Sequence, residues 1–196
     1  DHVEERCGFN HDFRIEQCPG QLDSRRGYGV TKALIECLDR ANKEKSEKGN
    51  EFALFFEDDA RFYSRTFCDA SYRASLWSQV PEDAYLAMLG GHHFEFGTQH
   101  EENNRWWNTT LSYGAYGFAV PATNIAHLRD GFKSDLVNLP PDCKLSAPRG
   151  KPCFSPDVRW YDRHSVSANQ SVYSAHPLEV MHKPGFSNTW NINRTT

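Results

Sequence analysis

The sequence predicts an α/β fold with a mostly parallel central sheet flanked by helices. Two apolar runs, Phe52–Phe56 and Tyr85–Leu89, carry this prediction because neither alternates with polar residues. Unbroken apolar runs of this length are typical of strands that are covered on both faces. Helical spacing of apolar residues occupies 30–46, and a shorter helical pattern occupies 70–79. Helices that alternate with strands favour right-handed crossover connections between parallel strands.

The remaining elements are predicted in chain order. Residues 92–110 are polar and contain Trp106 and Trp107, which are interpreted either as an acceptor platform or as loop anchors. The later elements are a strand at Tyr113–Val120, a helix Ala122–Phe132 started by Pro121, a Pro-rich loop at 138–156, a helix Asp157–His164 and a last strand Val172–Met181.

Length and charge narrow the possible classes of protein. A chain of 196 residues fits a single domain, so we expect one domain over 1–196. The 22 basic and 26 acidic residues give a net charge of −4, with no long basic run. Nucleic acid is therefore not an expected partner. No stretch reaches the roughly 18–20 apolar residues of a membrane span.

Six cysteines and three sequons point to a secreted or lumenal protein. We expect Cys143 and Cys153 to be bonded across the Pro-rich loop, and Cys7 and Cys18 to bracket a similar loop. Cys37 falls on the apolar face of a helix, where a reduced thiol is common. The three sequons begin at Asn108, Asn169 and Asn193.

Three consecutive carboxylates end the first apolar run. Glu57, Asp58 and Asp59 directly follow Phe56. In open α/β sheets, ligands bind at the carboxyl ends of strands. Crowded acidic oxygens repel one another unless a hard cation joins them, so a metal site that attracts a diphosphate is one interpretation. A solvated acidic turn is the other.

The segment Ala53–Phe62 resembles the signature of glycosyltransferases of the GT-A fold, nearest to glycosyltransferase family 25. This family includes collagen and lipooligosaccharide galactosyltransferases. Three further segments are similar to that family: Gly27–Leu34, Tyr113–Pro121, and His176–Leu178 with Phe186–Asn188. The family's Cys-x-x-Ser-His helix motif is absent. No apolar strand precedes Phe13, so we expect a shortened version of the fold or a trimmed chain.

The resemblance implies a metal-dependent transfer of a sugar from a nucleotide-diphosphate donor, a UDP-sugar, to a glycan or protein acceptor. It implies Asp59 as a metal ligand, Glu57 as a group near the ribose or a metal-bound water, and Asp58 in either role. The expected ion is Mn²⁺ or Mg²⁺, since both prefer oxygen ligands and Mn²⁺ also accepts an imidazole. A Golgi or ER lumen, or secretion, is the expected location.

Other residues complete the predicted site. His182 follows an apolar run and is the expected imidazole ligand, while Lys183 is the expected phosphate contact; a surface histidine in a basic turn is the alternative. Gly90 and Gly91 are expected to let the backbone approach the donor sugar.

Asp157 and Asp162 flank Trp160-Tyr161 and are the candidates for the general base. Asp157 is equally well interpreted as a helix N-cap. Two other functions stay open: a catalytically inactive GT-A-like domain that binds glycans or partners, and a glycoside hydrolase, which needs two carboxylates that face each other across the bond.

Overall fold

The protein is an α/β protein in which helices pack on both faces of a mixed sheet. The computed structural model describes residues 18, 28–48, 51–57, 60–63, 65–99, 105–138, 164–182, 185–187 and 192–194. The helices are α1 Tyr28–Lys48, α2 Ala70–Trp77, α3 Ile125–Asn138 and α4 Ser165–Ala168, with a 3₁₀ helix at Arg65–Cys68. The strands are β1 Phe52–Phe56, β2 Ala60–Phe62, β3 Ala84–Gln99, β4 Trp106–Pro121, β5 Ser171–Ala175, β6 Val180–His182, β7 Gly185–Ser187 and β8 Ile192–Arg194.

The central sheet has the strand order β1-β4-β3-β5. Strand β4 is antiparallel to both β1 and β3, whereas β5 is parallel to β3. Strands β1, β3 and β5 therefore run in one direction, and Gly90 of β3 is level with Phe56 at the end of β1, because both lie opposite Gly117. The predicted mostly parallel sheet is not confirmed, because β3–β5 is the one parallel pair of neighbours among the described strands. Strand β4 runs in the opposite direction and lies between β1 and β3.

Strands β3 and β4 are much longer than the sequence predicted, and they pair as a hairpin. Residues 92–99 and 106–110, expected to be an irregular loop, extend the two strands and pair from His92 with Tyr113 to Gln99 with Trp107. The prediction was wrong because backbone pairing satisfies the N–H and C=O groups of a polar segment as well as those of an apolar one. The start of β4 also pairs with β5, so that Ser174 lies opposite both Met88 and Trp107.

A second, two-stranded sheet is formed by β2 and β6. The predicted last strand 172–181 divides into β5 and β6, which belong to different sheets. The separation occurs at His176–Glu179, where the backbone N–H of Glu179 donates to Leu89 O at 2.8 Å. Strand β6 is thereby held against β3 as well as against β2.

The two faces of the central sheet bury different hydrophobic clusters. Helices α1 and α3 cover one face, where Leu38, Leu128 and Phe132 are fully buried. The other face packs α2, the 3₁₀ helix and β2 around Phe67 and Trp106, which are also fully buried. Full burial of a large apolar side chain contributes about 1.5–3 kcal/mol to the free energy of folding, so both layers stabilise the fold. The prediction that the apolar runs are covered on both sides is confirmed.

A disulfide joins Cys18 to Cys37. The bond anchors Cys18 to α1, so the prediction of a reduced Cys37 thiol was wrong, and Cys18 is not available to Cys7. Cys68 is disulfide-bonded as well. The predicted bond between Cys143 and Cys153 lies outside the described residues.

Within the described part of the chain, none of the helices is long and apolar enough to cross a membrane.

We expect Cys37→Ala to lower the free energy of unfolding by about 3 kcal/mol, because the bond closes a loop of about 20 residues in the unfolded chain. The measurement is urea denaturation under non-reducing conditions, with the reduced wild-type chain as the control. A midpoint equal to that of the oxidised wild type would show that the bond contributes nothing to stability.

Candidate functional site

The acidic segment lies where β1 leaves the central sheet. The backbone N–H of Glu57 donates to Tyr116 O at 3.1 Å, which continues the pairing of β1 with β4. The next described residue, Ala60, donates its N–H to Glu57 O at 3.1 Å. The chain therefore turns back within four residues, from the carboxyl end of β1 into β2. Glu57 is half-buried, and Asp58 and Asp59 lie outside the described residues.

The pairing of β2 with β6 brings a second predicted segment to this turn. Ala60 lies opposite His182 in the antiparallel register, followed by Arg61 opposite Met181 and Phe62 opposite Val180. Directly opposed Cα atoms in such a pair are about 4.5–5.5 Å apart. The end of β6 and the start of β2 are thus neighbours, although about 120 residues separate them in the sequence. The side chain of His182, and Lys183, are outside the described part of the chain.

Arg61 is a cation beside the acidic turn that the sequence analysis did not single out. Ala60 and Phe62 are buried, whereas Arg61 between them is half-buried on the opposite face of β2. Its Nη1 donates to Ala60 O at 3.0 Å, which draws the guanidinium back toward the turn. The alternation of a short strand after the carboxylates could have identified it.

Gly90 permits the close approach of β3 to β6. A Cβ atom placed on Gly90 would lie 2.0 Å from the carbonyl oxygen of Val180. The space above Gly90 is therefore filled by the protein's own backbone, which explains the glycine by packing. A role for Gly90 and Gly91 toward a donor sugar stays a prediction.

A buried ion pair fixes the chain just before β6. The Glu179 side chain is 5% exposed, and its Oε1 accepts hydrogen bonds from Arg105 Nη2 and from the Tyr72 hydroxyl. The Arg105 guanidinium also lies over the Tyr72 ring, 5.6 Å from its centroid. Glu179 stands in an otherwise apolar run, and a lone acid inside such a run is the sequence signal for a buried, paired carboxylate.

The two tryptophans have different environments. Trp106 is fully buried, and its Nε1 donates to Leu76 O at 3.3 Å, so Trp106 is an anchor of the core. Trp107 is half-buried, with its ring centroid 5.4 Å from that of the exposed His176. The predicted general bases, Asp157 and Asp162, lie outside the described residues.

A second group of reactive side chains joins β3 to α3 and α4. The Tyr85 hydroxyl lies 2.9 Å from His127 Nδ1, and Ser167 Oγ lies 3.3 Å from His127 Nε2. Burial raises the pKa of Tyr85. The Ser167 hydroxyl also donates to His164 O at 2.9 Å. The geometry is that of a structural hydrogen-bond chain.

A buried histidine packs beside this chain. His164 Nε2 lies 3.0 Å from Asp135 Oδ2, and the two side chains are 4% and 1% exposed. A Cβ on Gly131 would lie 2.4 Å from the His164 ring, so the glycine within α3 makes room for the imidazole. This pair holds the segment at His164 against α3.

Among the described residues, no group of three or more His, Cys, Asp or Glu side chains is arranged to hold a metal ion. Neither the protein-family models nor the curated proteins contain a match to the chain.

We expect Glu179→Ala to lower the free energy of unfolding by about 3 kcal/mol, because it leaves the Arg105 guanidinium without its buried carboxylate. The matched control is Glu36→Ala, which removes an exposed i,i+4 pair with Arg40 and is expected to cost less than about 0.5 kcal/mol. Equal costs for the two variants in chemical denaturation would contradict the structural role of Glu179.

Proposed function

We propose that the protein is a metal-dependent glycosyltransferase of the GT-A type, which moves a sugar from a nucleotide-diphosphate donor, a UDP-sugar, to a glycan or glycoprotein acceptor. The observation that carries the proposal is the acidic turn after β1, together with the register that sets His182 opposite Ala60. Strand β1 ends at this turn, and β3 and β5 run in the same direction as β1; ligands bind at the carboxyl ends of strands in open α/β sheets.

The spacing of the backbone supports one shared site. Opposed Cα atoms in the β2–β6 pair are about 4.5–5.5 Å apart, and consecutive Cα atoms are about 3.8 Å apart. Asp59 immediately precedes Ala60 in the sequence, and Ala60 is the residue that pairs with His182. Aspartate and histidine side chains that extend toward each other across such a distance can share one ion.

The chemistry of the donor set fits Mn²⁺ or Mg²⁺. Asp59 and His182 would hold the ion, with Glu57 and Asp58 beside it, and this set of carboxylate oxygens with one imidazole suits Mn²⁺ best. When bound, the ion supplies charge neutralisation for the leaving diphosphate.

The chain's own residues would bind the donor and activate the acceptor. Arg61, two residues after Asp59, and Lys183, directly after His182 in the sequence, would contact the phosphates. The half-buried Glu57 would accept hydrogen bonds from the ribose. Asp157 or Asp162 would take the proton from the acceptor hydroxyl as a general base.

The second candidate is a catalytically inactive domain of the same fold that binds glycans or partners. The absent Cys-x-x-Ser-His motif favours it, because the family's helix carries that motif. Either candidate agrees with a secreted or lumenal protein, since a disulfide such as Cys18–Cys37 persists in oxidising compartments.

We expect Asp59→Asn to abolish Mn²⁺-dependent binding of UDP while the chain stays folded, because the substitution removes a ligand charge at a strand end without opening the core. The measurement is a thermal-shift titration of UDP with and without Mn²⁺. A ligand at about 100 times its dissociation constant stabilises the wild-type chain by about 2.7 kcal/mol. Glu82→Gln, an exposed acid before β3, is the control and should bind as the wild type does.

The results separate the candidate functions. Binding of UDP that is unchanged in folded Asp59→Asn would overturn the metal-site proposal. Metal-dependent binding without turnover of any UDP-sugar would favour the inactive domain, and hydrolysis of a glycoside without nucleotide would favour a hydrolase.

A further inference from the structure

We propose that Asn169 is an N-glycosylation site, whose glycan extends from the edge of the central sheet opposite the acidic turn. Asn169-Gln170-Ser171 is one of three sequons in the chain. The inference is independent of the proposed function, because it depends only on the position of this sequon in the fold.

Asn169 occupies an exposed turn. It ends α4 in the left-handed conformation, with φ 52° and ψ 45°, and its side chain is exposed. The backbone N–H groups of Asn169 and Gln170 donate to Val166 O and Ser165 O, each at 3.0 Å. The turn is therefore closed by its backbone, and the side-chain amide is left to project into solvent.

One exposed apolar side chain lies beside Asn169. Val166 is 69% exposed, and the hydrogen bond from Asn169 to its carbonyl places the two residues one turn apart. The apolar face of a first N-acetylglucosamine ring would cover this valine, which accounts for a large exposed apolar side chain at this point.

The direction of β5 determines which edge carries the glycan. Ser171 begins β5 and donates its N–H to Asp83 O at 3.0 Å, next to the start of β3. Strands β3 and β5 are parallel to each other, and β1 runs in the same direction. Asn169 thus lies at the amino ends of these strands, and Glu57 lies at the carboxyl end of β1. A glycan on Asn169 leaves the acidic edge open.

The sequon at Asn108 has a different setting. Asn108 is half-buried within β4, where its backbone lies opposite Tyr173 of β5. Its neighbour Thr109 is 2% exposed and bonded to Ser174 Oγ at 2.7 Å. A glycan there would have to leave from the interior of a paired sheet, so we assign the modification to Asn169.

The modification is a group transfer catalysed by the oligosaccharide transferase of the host. The side-chain amide nitrogen of Asn169 attacks the anomeric carbon of an oligosaccharide linked to a lipid diphosphate. A nitrogen–carbon bond forms as the bond from that carbon to the phosphate oxygen breaks. The amide proton passes to a base of the transferase, and the lipid diphosphate leaves.

The test expresses the 196-residue chain into the secretory pathway of a eukaryotic host and maps its peptides before and after peptide-N-glycosidase treatment. We expect a glycan on Asn169 in the wild type and in Ser171→Thr, which keeps the hydroxyl. We expect none on Asn169 in Ser171→Ala. Both variants leave the left-handed Asn169 unchanged, so the turn keeps the residue that it favours.

Folding is checked in each sample by the Cys18–Cys37 peptide. Asn169 that is unmodified in wild-type chain carrying this disulfide would overturn the proposal. A glycan found on Asn108 in place of Asn169 would overturn it as well. The variant Asn108→Gln should leave the glycan on Asn169 unchanged.

Discussion

The close contact between β3 and β6 at Gly90 is the constraint on which the candidate site depends. The Val180 carbonyl occupies the space that a side chain at Gly90 would need. The backbone N–H of Glu179, just before β6, also donates to the carbonyl of Leu89 in β3. Because β6 is fixed there, β2 can pair with it in one register, and that register sets His182 opposite Ala60. A shift of one residue would turn each side chain of β6 to the other face.

The ion pair of Glu179 with Arg105 reinforces this contact from the other side. Arg105 precedes β4, so the pair connects the beginning of β4, the second strand of the long hairpin, to the beginning of β6. Charges that are removed from water this far stabilise a structure only when they are paired and hydrogen-bonded. Tyr72 of α2 supplies the additional hydrogen bond, and the three residues together hold α2, β4 and β6.

Local patterns in the sequence predicted the individual strands and helices. The runs Phe52–Phe56 and Tyr85–Leu89 are strands, the first mostly half-buried and the second buried, and the helices around residues 30–46 and 70–79 exist with somewhat different ends. The pairing of distant segments was not predictable from such patterns. The position of β4 between β1 and β3, and the bond from Cys18 to Cys37, depend on contacts across the whole fold, and the sequence carries no periodic signal for either.

The candidate site shows the same division. The carboxylates after β1 could be predicted as a candidate site because an apolar run ends there. The roles of Arg61 and Glu179 could not be predicted, because they depend on neighbours that only the folded chain brings together.

Pulsed electron paramagnetic resonance of the protein with Mn²⁺ and UDP tests the shared site most directly, because it detects a nitrogen bonded to the ion. The account predicts an imidazole nitrogen signal in the wild type that disappears in His182→Gln and persists in His176→Gln, a change at an exposed histidine. Bound Mn²⁺ without that signal in the wild type, or with the same signal in His182→Gln, would contradict it.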